Sequence, residues 1–338
     1  MLLSSHKLEN SKLRLPAGVK DFLFEETQQC RELESRLMNT LMSKGCREII
    51  TPTFEYSEVF SQAGEGRNAL EDKTYRFLDR DGNLLALRAD FTAQIARIAA
   101  SRFAQSEMPI RLCYSGKVFR AEPHHAGRSR EKWQIGFELL GAGDIATDVE
   151  AVNNILEGLA ALGLHEIRVA IGHIGYFNGL IAEAGCAGET LQRLKYLIAR
   201  KEATGLREFV TQAELAPLVQ EALLQLPALH GGSEIFPLAR RFARSAISHE
   251  AIAHLEAMLL ALQTHLQAGK IFVDLSEVEG MGYYTGIMLR AFVAGVGQEI
   301  GGGGRYDELI ARLGADLPAV GFYFDVDLLV RAVNELAR

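Results

Sequence analysis

The spacing of apolar residues predicts helices in several parts of the chain. Near the start, four apolar residues fall on one face of a helix: Cys30, Leu33, Leu37 and Leu41. Because Gly45 follows them as a stop signal, we predict a helix over residues 24–44. Similar patterns predict helices over residues 147–162 and 326–337. Ala- and Leu-rich sequence over residues 176–266 predicts a helical insertion.

Short apolar segments separated by turn residues predict β-strands. The predicted strands are residues 47–54, 74–78, 83–87, 110–115, 118–121, 133–140, 167–171, 271–275, 282–293 and 319–325. Asp81 and Gly82 form a strong hairpin signal. Pro52 cannot donate a hydrogen bond within a sheet, so its strand should lie at an edge or an interface. The order of strands, helices and strands again favours an α+β fold, with an antiparallel sheet flanked by helices, over parallel βαβ units.

Composition narrows the possible classes of protein. The chain has 338 residues, of which 48% are hydrophobic and 23% charged, as in globular proteins of one or two domains. No apolar run reaches the ~18–20 residues of a membrane span. Residues 1–14 lack the apolar core of a signal peptide, so we expect a flexible N-terminal arm on a cytoplasmic protein. A net charge of −7 is not typical of nucleic-acid-binding proteins, and the four cysteines form no CxxC pair for zinc or redox chemistry.

The first candidate site lies at Asp90 and Thr92. Their side chains share one face if the backbone is extended, because they are two residues apart. A carboxylate beside a hydroxyl suits an amino or ammonium group. Alternatively, Asp90 caps a helix that begins at Phe91, since aspartate is a preferred N-cap residue. The sequence leaves both interpretations open.

A basic loop over residues 122–132 joins two predicted strands. Four cations lie in or beside it: Arg120, Arg128, Arg130 and Lys132. Such a loop suits a phosphate or a carboxylate, although a solvated loop has the same composition. The adjacent residues His124 and His125 are poorly placed to converge on one ion, and no third ligand lies near them in sequence. We therefore predict no metal site.

Two glycine-containing segments are further candidates. In residues 277–286, two glycines allow close backbone approach, and Tyr283 and Tyr284 offer hydroxyl and ring surfaces, although a core strand would carry the same residues. Residues 301–304 are four consecutive glycines. Neither a Gly-Lys-Ser/Thr ending nor GxGxxG spacing is present, so this run is not a P-loop. We interpret it as the glycine-lined floor of a pocket.

These segments, taken together and in this order, resemble the catalytic domain of histidyl-tRNA synthetase, a class II aminoacyl-tRNA synthetase. The matching segments are residues 15–21, 47–54, 114–138, 280–285 and 303–307. The first two, with the predicted helix between them, resemble the first class II motif, which builds the dimer interface. The third resembles the second motif, and the last two resemble the lining of the histidine pocket. The resemblance implies a class II domain over residues 15–330, with a six- or seven-stranded antiparallel sheet and residues 176–266 inserted in it.

The resemblance also implies a pocket for histidine. Its residues would be Asp90, Thr92, Arg120, Gln134, Glu138, Glu279, Tyr283, Tyr284 and Tyr306. The carboxylates would hold the α-ammonium group and Arg120 the α-carboxylate, while the tyrosines and Glu279 would surround the imidazole. Asp90 stands where the synthetases have the longer glutamate.

Departures from the synthetase pattern predict a catalytically silent site. Glu279 stands where the synthetases have an arginine beside the reacting carboxylate and phosphate. Two opposite charges ~4 Å apart attract by roughly 4 kcal/mol at an effective dielectric of about 20, and a like charge repels instead. In the third motif, Asp325 replaces a glycine and Leu328 replaces the arginine that clamps ATP. We expect residues 331–338 to finish a helix, with no anticodon-binding domain after them.

This truncated plan resembles the regulatory subunits of ATP phosphoribosyltransferase, the first enzyme of histidine biosynthesis. The resemblance implies a non-catalytic chain without a cofactor, which self-associates through the class II dimer interface and forms a hetero-octamer with a short-form catalytic subunit. L-histidine would be its feedback effector, and we expect neither membrane nor nucleic-acid partners. One alternative is a stand-alone amino-acid-activating enzyme, which histidine-dependent ATP–pyrophosphate exchange would favour. Another is a synthetase-derived tRNA-binding module, which a shift in tRNA mobility would favour.

Overall fold

The computed structural model describes residues 14–62, 73–121, 129–213, 215–278 and 282–336. Several predicted features lie outside these ranges: Glu279, His124, His125, Arg128 and residues 1–13 of the predicted arm. Within the described ranges, no helix is long and apolar enough to cross a membrane.

The strands of the described residues form two sheets. They are β1 (Arg47–Glu48), β2 (Phe54–Tyr56), β3 (Arg76–Leu78), β4 (Leu84–Leu87), β5 (Ile110–Phe119), β6 (Glu131–Leu140), β7 (Ile167–His173), β8 (His230–Gly231), β9 (Ile271–Asp274), β10 (Ile287–Val293), β11 (Gly301–Arg305) and β12 (Ala319–Asp325). The large sheet has the order β1-β5-β6-β12-β11-β10-β7-β9-β8, and β2-β4-β3 form the small sheet. Strands β5, β6, β12, β11, β10 and β7 pair with one another in antiparallel orientation. At the two ends of this group, β1 is parallel to β5 and β9 is parallel to β7. The predicted α+β class is confirmed, with a sheet that is wider than predicted and mixed towards its edges.

Helices cover the large sheet and fill the connection between two of its strands. They are α1 (Phe24–Ser43), α2 (Ser57–Ser61), α3 (Phe91–Ile98), α4 (Ile145–Ala161), α5 (Ile174–Ala184), α6 (Gly188–Ala199), α7 (Ala203–Gln212), α8 (Pro217–Gln225), α9 (Phe236–Phe242), α10 (Ala246–Ala261), α11 (Gln263–Gln267), α12 (Asp307–Arg312) and α13 (Val326–Leu336). The three helices predicted from apolar spacing are confirmed as α1, α4 and α13, which pack on one face of the large sheet. Helices α5 to α11 all lie between β7 and β9 in the chain.

Strand β6 separates two different environments. Trp133, Ile135 and Phe137 are buried in the core that the sheet forms with α1, α4 and α13. Gln134 and Glu138 are also buried, but they point to the opposite face because side chains alternate along a strand. That face carries a second buried cluster, which includes residues of α3. Two buried polar side chains on one strand indicate that this face carries a candidate site.

Some strand predictions were wrong in their bounds. Residues 110–121 were predicted as two strands but form the single strand β5, because pairing with β6 along its whole length overrides the weak strand propensity of Gly116. Strand β10 begins only at Ile287, since Thr285 is held by a backbone hydrogen bond to the carbonyl of Arg305. The predicted strand around Pro52 is interrupted. Its two parts, β1 and β2, each lie at the edge of a sheet, as the proline predicted.

Candidate functional site

A small cavity of about 10 Å³ opens on the face of the large sheet that carries Glu138. Twelve residues line it: Thr92, Tyr114, Glu138, Tyr283, Tyr284, Gly302, Gly303, Gly304, Tyr306, Gly321, Phe322 and Tyr323. A volume of this size holds about one water molecule. An amino acid would therefore enter only if the lining side chains move apart.

Glu138 is the buried acid at the centre of the cavity. Its Oε2 accepts a hydrogen bond from the Tyr306 hydroxyl at 2.5 Å, and its Oε1 accepts one from the Thr92 hydroxyl at 2.9 Å. Burial raises the pKa of Glu138 to about 8, and the nearby Asp90 adds to this, although the hydroxyl donors act in the opposite direction. The carboxyl group is therefore mainly neutral near pH 7.

Asp90 has the capping role, one of the two interpretations that the sequence left open. It caps α3, because its Oδ1 accepts a hydrogen bond from the Ala93 backbone N–H at 3.1 Å. Its Oδ2 accepts a second bond from the Tyr283 hydroxyl at 3.0 Å. The cap fixes the start of α3, and so it also fixes Thr92, the second residue of that helix, against Glu138. The Asp90 carboxylate is thereby linked to Tyr283, one of three tyrosines that form a wall of the cavity.

Three tyrosines form that wall. The ring centroids of Tyr283 and Tyr284 are 5.1 Å apart and those of Tyr283 and Tyr306 are 6.0 Å apart, both in edge-on geometry. Burial raises the pKa of each of the three hydroxyl groups. They therefore stay protonated and act as hydrogen-bond donors to carboxylates or to a ligand.

Two buried nitrogen donors lack a partner on this face. Among the described residues, neither Arg120 Nη2 nor Gln134 Nε2 has a hydrogen-bond partner. Arg120 is 9% exposed and Gln134 is 2% exposed. A buried donor without a hydrogen-bond partner lowers the stability of the fold by about 1–3 kcal/mol. Two unpartnered donors on one face are therefore expected where a ligand supplies the acceptor. The Nε of Arg120 donates to the Ala89 carbonyl at 3.1 Å, which fixes its direction.

Glycines make the space for the cavity. A Cβ on Gly321 would lie 1.6 Å from Glu138 Oε2, and one on Gly136 would lie 2.3 Å from the Tyr114 hydroxyl. In β11, Gly304 has φ +156° and a Cβ there would meet the Ile287 carbonyl oxygen at 2.4 Å. The glycine run is thus a strand whose surface forms the floor, although we did not predict the strand itself.

Asp325, one of the predicted departures from the synthetase pattern, has structural partners of its own. Asp325 is 5% exposed, and its Oδ1 accepts a long bond of 3.4 Å from the Leu328 N–H at the start of α13. Burial raises the pKa of Asp325, and Lys132 at 3.6 Å opposes this. In the sheet register Asp325 lies opposite Gln134. The carboxylate therefore stands on the same sheet face as the candidate site.

The structure brings most of the predicted site residues together. Thr92, Glu138, Tyr283, Tyr284 and Tyr306 line the cavity, and Asp90 bonds to one of them. Arg120 and Gln134 lie on the same sheet face, and Arg120 interacts with Tyr323. Glu279 lies outside the described residues.

The sequence did not identify four of the lining residues: Tyr114, Gly321, Phe322 and Tyr323. Tyr114 and Tyr323 belong to strands whose alternation with Gly116 and Gly321 could have placed them on the cavity face, and Phe322 contributes from the next position.

No group of three or more metal-binding side chains is found in the described part of the chain.

Known proteins share this sequence pattern and this fold. A family model described as histidyl-tRNA synthetase matches residues 18–329. A protein of Moorella thermoacetica named ATP phosphoribosyltransferase regulatory subunit is 39% identical over 332 residues, which cover 97% of this chain and 84% of that protein. A protein of the same name from Geobacter sulfurreducens is 37% identical, with 95% of this chain and 73% of that protein covered.

Solved structures agree with these relatives. A crystal structure from Bacillus halodurans C, described as an ATP phosphoribosyltransferase regulatory subunit/histidyl-tRNA synthetase, superposes with a TM-score of 0.85 at 32% identity and covers 95% of this chain and 83% of its own. Histidyl-tRNA synthetase from Nostoc sp. PCC 7120 has a TM-score of 0.78 at 19% identity over 96% of this chain and 76% of its own, which supports the fold alone. This chain therefore belongs to the family of ATP phosphoribosyltransferase regulatory subunits, which share the class II fold of histidyl-tRNA synthetase.

Proposed function

We propose that this chain binds L-histidine in its cavity and passes that signal to a separate ATP phosphoribosyltransferase catalytic subunit, so that histidine inhibits the first step of its own biosynthesis. The names of its relatives from Moorella and Geobacter support the regulatory role and imply a catalytic partner. We further propose a cytoplasmic location and no cofactor. The domain would span residues 15–330, with residues 176–266 as its insertion.

The unpartnered donors beside the buried carboxyl groups carry the proposal. Arg120 Nη2 and Gln134 Nε2 need an acceptor, which the α-carboxylate of an amino acid supplies with charge assistance. Asp90 and Glu138 offer acceptors for an ammonium group or an imidazole N–H. An amino acid with a polar, planar side chain would therefore match both halves of the site.

The raised pKa of Glu138 fits a cationic ligand. Burial penalises the ionised carboxylate. A cationic group of the ligand would offset this penalty and allow Glu138 to ionise. Binding would then release a proton, which titration in buffers of different ionisation enthalpy can detect.

We propose that the chain does not activate amino acids. Asp325 places a carboxylate on the cavity face where the synthetase pattern has a glycine, and Leu328 cannot clamp a phosphate. Glu279 would add a third departure, in place of the synthetase arginine. Two carboxylates in a site for triphosphate would repel it, since like charges close together cost several kcal/mol when partly buried.

We propose that two copies associate through the small sheet and the segment before it. Six large apolar residues there are 40–84% exposed: Ile50, Phe54, Tyr56, Phe77, Leu78 and Leu84. An exposed apolar patch of this kind marks an interaction surface. Two such dimers with four catalytic subunits would form the hetero-octamer.

Isothermal titration with L-histidine tests the proposed function. We expect saturable binding at one site per chain and no binding of ATP. In Arg120→Gln the affinity should fall at least about 30-fold, because removing one partner of a buried charged pair typically costs ~2–5 kcal/mol. Addition of the chain should also make the catalytic subunit sensitive to histidine.

Arg168→Gln is the matched control, since it removes an exposed arginine on β7. It should bind histidine like the unaltered chain. ATP binding at ordinary affinity would instead favour an amino-acid-activating enzyme. Equal histidine affinity in Arg120→Gln and the unaltered chain would contradict the assignment of the cavity.

The pH dependence of stability tests the buried acid. The folded chain keeps the proton of Glu138 up to a pKa of about 8, whereas the ordinary value is 4.5. The contribution of Glu138 is therefore fully present below about pH 4.5 and is lost as the pH rises to about 8. Relative to Glu138→Gln, the free energy of unfolding of the unaltered chain should fall by up to ~1.4 kcal/mol per pH unit in this window.

Urea unfolding at several pH values measures the difference. Glu131→Gln is the control, because this glutamate lies on the same strand but is only partly buried. It should keep the pH slope of the unaltered chain. Parallel curves for the unaltered chain and Glu138→Gln would show that Glu138 is ionised in the folded state at neutral pH.

A further inference from the structure

Three charged or polar side chains from distant parts of the chain meet behind the cavity. Asp148 of α4 is completely buried, and its Oδ1 accepts hydrogen bonds from Arg305 Nε at 3.0 Å and from Arg305 Nη2 at 2.5 Å. Its other oxygen, Oδ2, is 2.8 Å from His254 Nε2 of α10. We call His254, Asp148 and Arg305 the buried relay. It links the helical segment α5–α11 to the glycine strand β11.

The relay ends next to the tyrosine wall of the cavity. Arg305 is followed directly by Tyr306, whose hydroxyl group is bonded to Glu138. The carbonyl of Arg305 accepts the backbone N–H of Thr285, the residue after Tyr284. The Arg305 side chain packs against Gly286, where a Cβ would lie 2.9 Å from its Cδ. One arginine therefore holds the segments of two cavity tyrosines.

A second acid fastens the same corner. Arg305 Nη1 donates to Asp307 Oδ1 at 3.0 Å, and this oxygen also accepts the Ala319 N–H at 2.9 Å. The Asp307 N–H donates to the Thr285 hydroxyl at 3.0 Å. The corner therefore has few free polar groups with which to absorb a displacement of Tyr306.

On the other side, the relay reaches the tightest helix pair of the segment. Gly179 lets α5 approach α10 so closely that a Cβ on it would lie 1.9 Å from the Ser248 hydroxyl. The ring of His173, at the start of α5, is 5.4 Å from the ring of His254. Packed interfaces of this kind move as units rather than deform gradually.

We propose that the buried relay couples the cavity to helix α10, so that the helical segment α5–α11 responds to the ligand. This inference rests on the proposed binding of histidine. A ligand group that bonds to Glu138 competes with the Tyr306 hydroxyl for Oε2. Tyr306 then shifts together with Arg305, and Asp148 carries the change to His254. By reciprocity, the contact at His254 contributes to the affinity of the cavity for its ligand.

Amide hydrogen exchange and histidine titration of four proteins test the coupling. They are the unaltered chain, His254→Ala, His254→Gln and Glu256→Ala. In the unaltered chain, histidine should slow exchange in α10. His254→Ala should lose this response and bind histidine at least about fivefold more weakly, the lower end of typical allosteric couplings. In His254→Gln, an amide can donate to Asp148, so both properties should return to within about twofold.

Glu256 lies on the same helix as His254 and forms an exposed ion pair with Arg240 of α9. Glu256→Ala removes this pair and should behave like the unaltered chain. If His254 had only a structural role, His254→Ala would speed exchange throughout the fold but would keep the response of α10 to histidine. If histidine binds all four proteins equally and leaves α10 unchanged, the coupling is refuted while the proposed function stands.

If the unaltered chain does not bind histidine, the proposed function fails instead. The coupling is then judged without ligand, by exchange of the Tyr306 N–H that donates to the Ala319 carbonyl. This amide should exchange faster in His254→Ala than in the unaltered chain and in Glu256→Ala. Equal rates in the three proteins would overturn the coupling.

Discussion

Gly321→Ala is expected to lower the affinity for L-histidine by at least about 100-fold, or ~2.7 kcal/mol. The new methyl group would lie 1.6 Å from Oε2 and 2.3 Å from Cδ of Glu138. Glu138 would have to leave its bonds to Tyr306 and Thr92, and its carboxyl group would move into the space of the ligand. Overpacking of this kind should also lower the free energy of unfolding by ~1–3 kcal/mol.

Titration calorimetry and urea unfolding measure the two effects separately. Gly143→Ala is the matched control, because its Cβ would meet only Pro318, at an ordinary contact distance of 3.4 Å. It should bind histidine like the unaltered chain. If Gly321→Ala folds and binds histidine normally, the ligand does not occupy the cavity beside Glu138.

Arg305→Ala is expected to destabilise the fold by ~3–5 kcal/mol. Asp148 is completely buried, and the substitution removes both of its bonds from the guanidinium group. Breaking a buried ion pair from one side leaves an uncompensated charge, which accounts for an effect of this size. Since domains are stable by only ~5–15 kcal/mol, a large part of the total would be lost.

Urea unfolding near neutral pH measures this loss. Arg241→Ala breaks the exposed pair of Arg241 with Glu221 and should cost no more than about 1 kcal/mol. Adding Asp148→Asn to Arg305→Ala should recover part of the stability, because the buried carboxylate is then replaced by a neutral amide. A cost below about 1 kcal/mol for Arg305→Ala would mean that water or a rearranged partner compensates Asp148.

The periodic parts of the fold could be predicted from the sequence. Helices α1, α4 and α13 have apolar residues at regular helical spacing, and β12 has the bounds predicted from its apolar run. Strand β11 could not be predicted, because glycine has a low strand propensity and the strand exists through pairing with β10 and β12. The parallel pairings of β1 and β9 are likewise set by packing between segments far apart in sequence.

The candidate site was predictable in its residue types and less so in its contacts. The resemblance to the synthetases singled out Glu138 and Tyr306, which the structure joins by a hydrogen bond. It did not indicate Tyr323, because strand alternation places a residue on the cavity face only once a neighbour such as Gly321 is known to lie there. Nor could a single sequence reveal the unpartnered donors or the relay to His254, since both depend on side chains brought together by tertiary packing.

The glycine floor bears on how the ligand preference of such a protein can evolve. A pocket walled by side chains can accept a larger ligand through rotamer changes or single substitutions. Gly302, Gly303 and Gly304 present only backbone to the cavity, and densely packed strands do not bend to make room. Drift towards a bulkier amino acid would therefore need changes in the tyrosines opposite, which also satisfy the buried acids. The same tyrosines would thus set the size of the ligand and hold the buried acids, so that a substitution that alters one property would also alter the other.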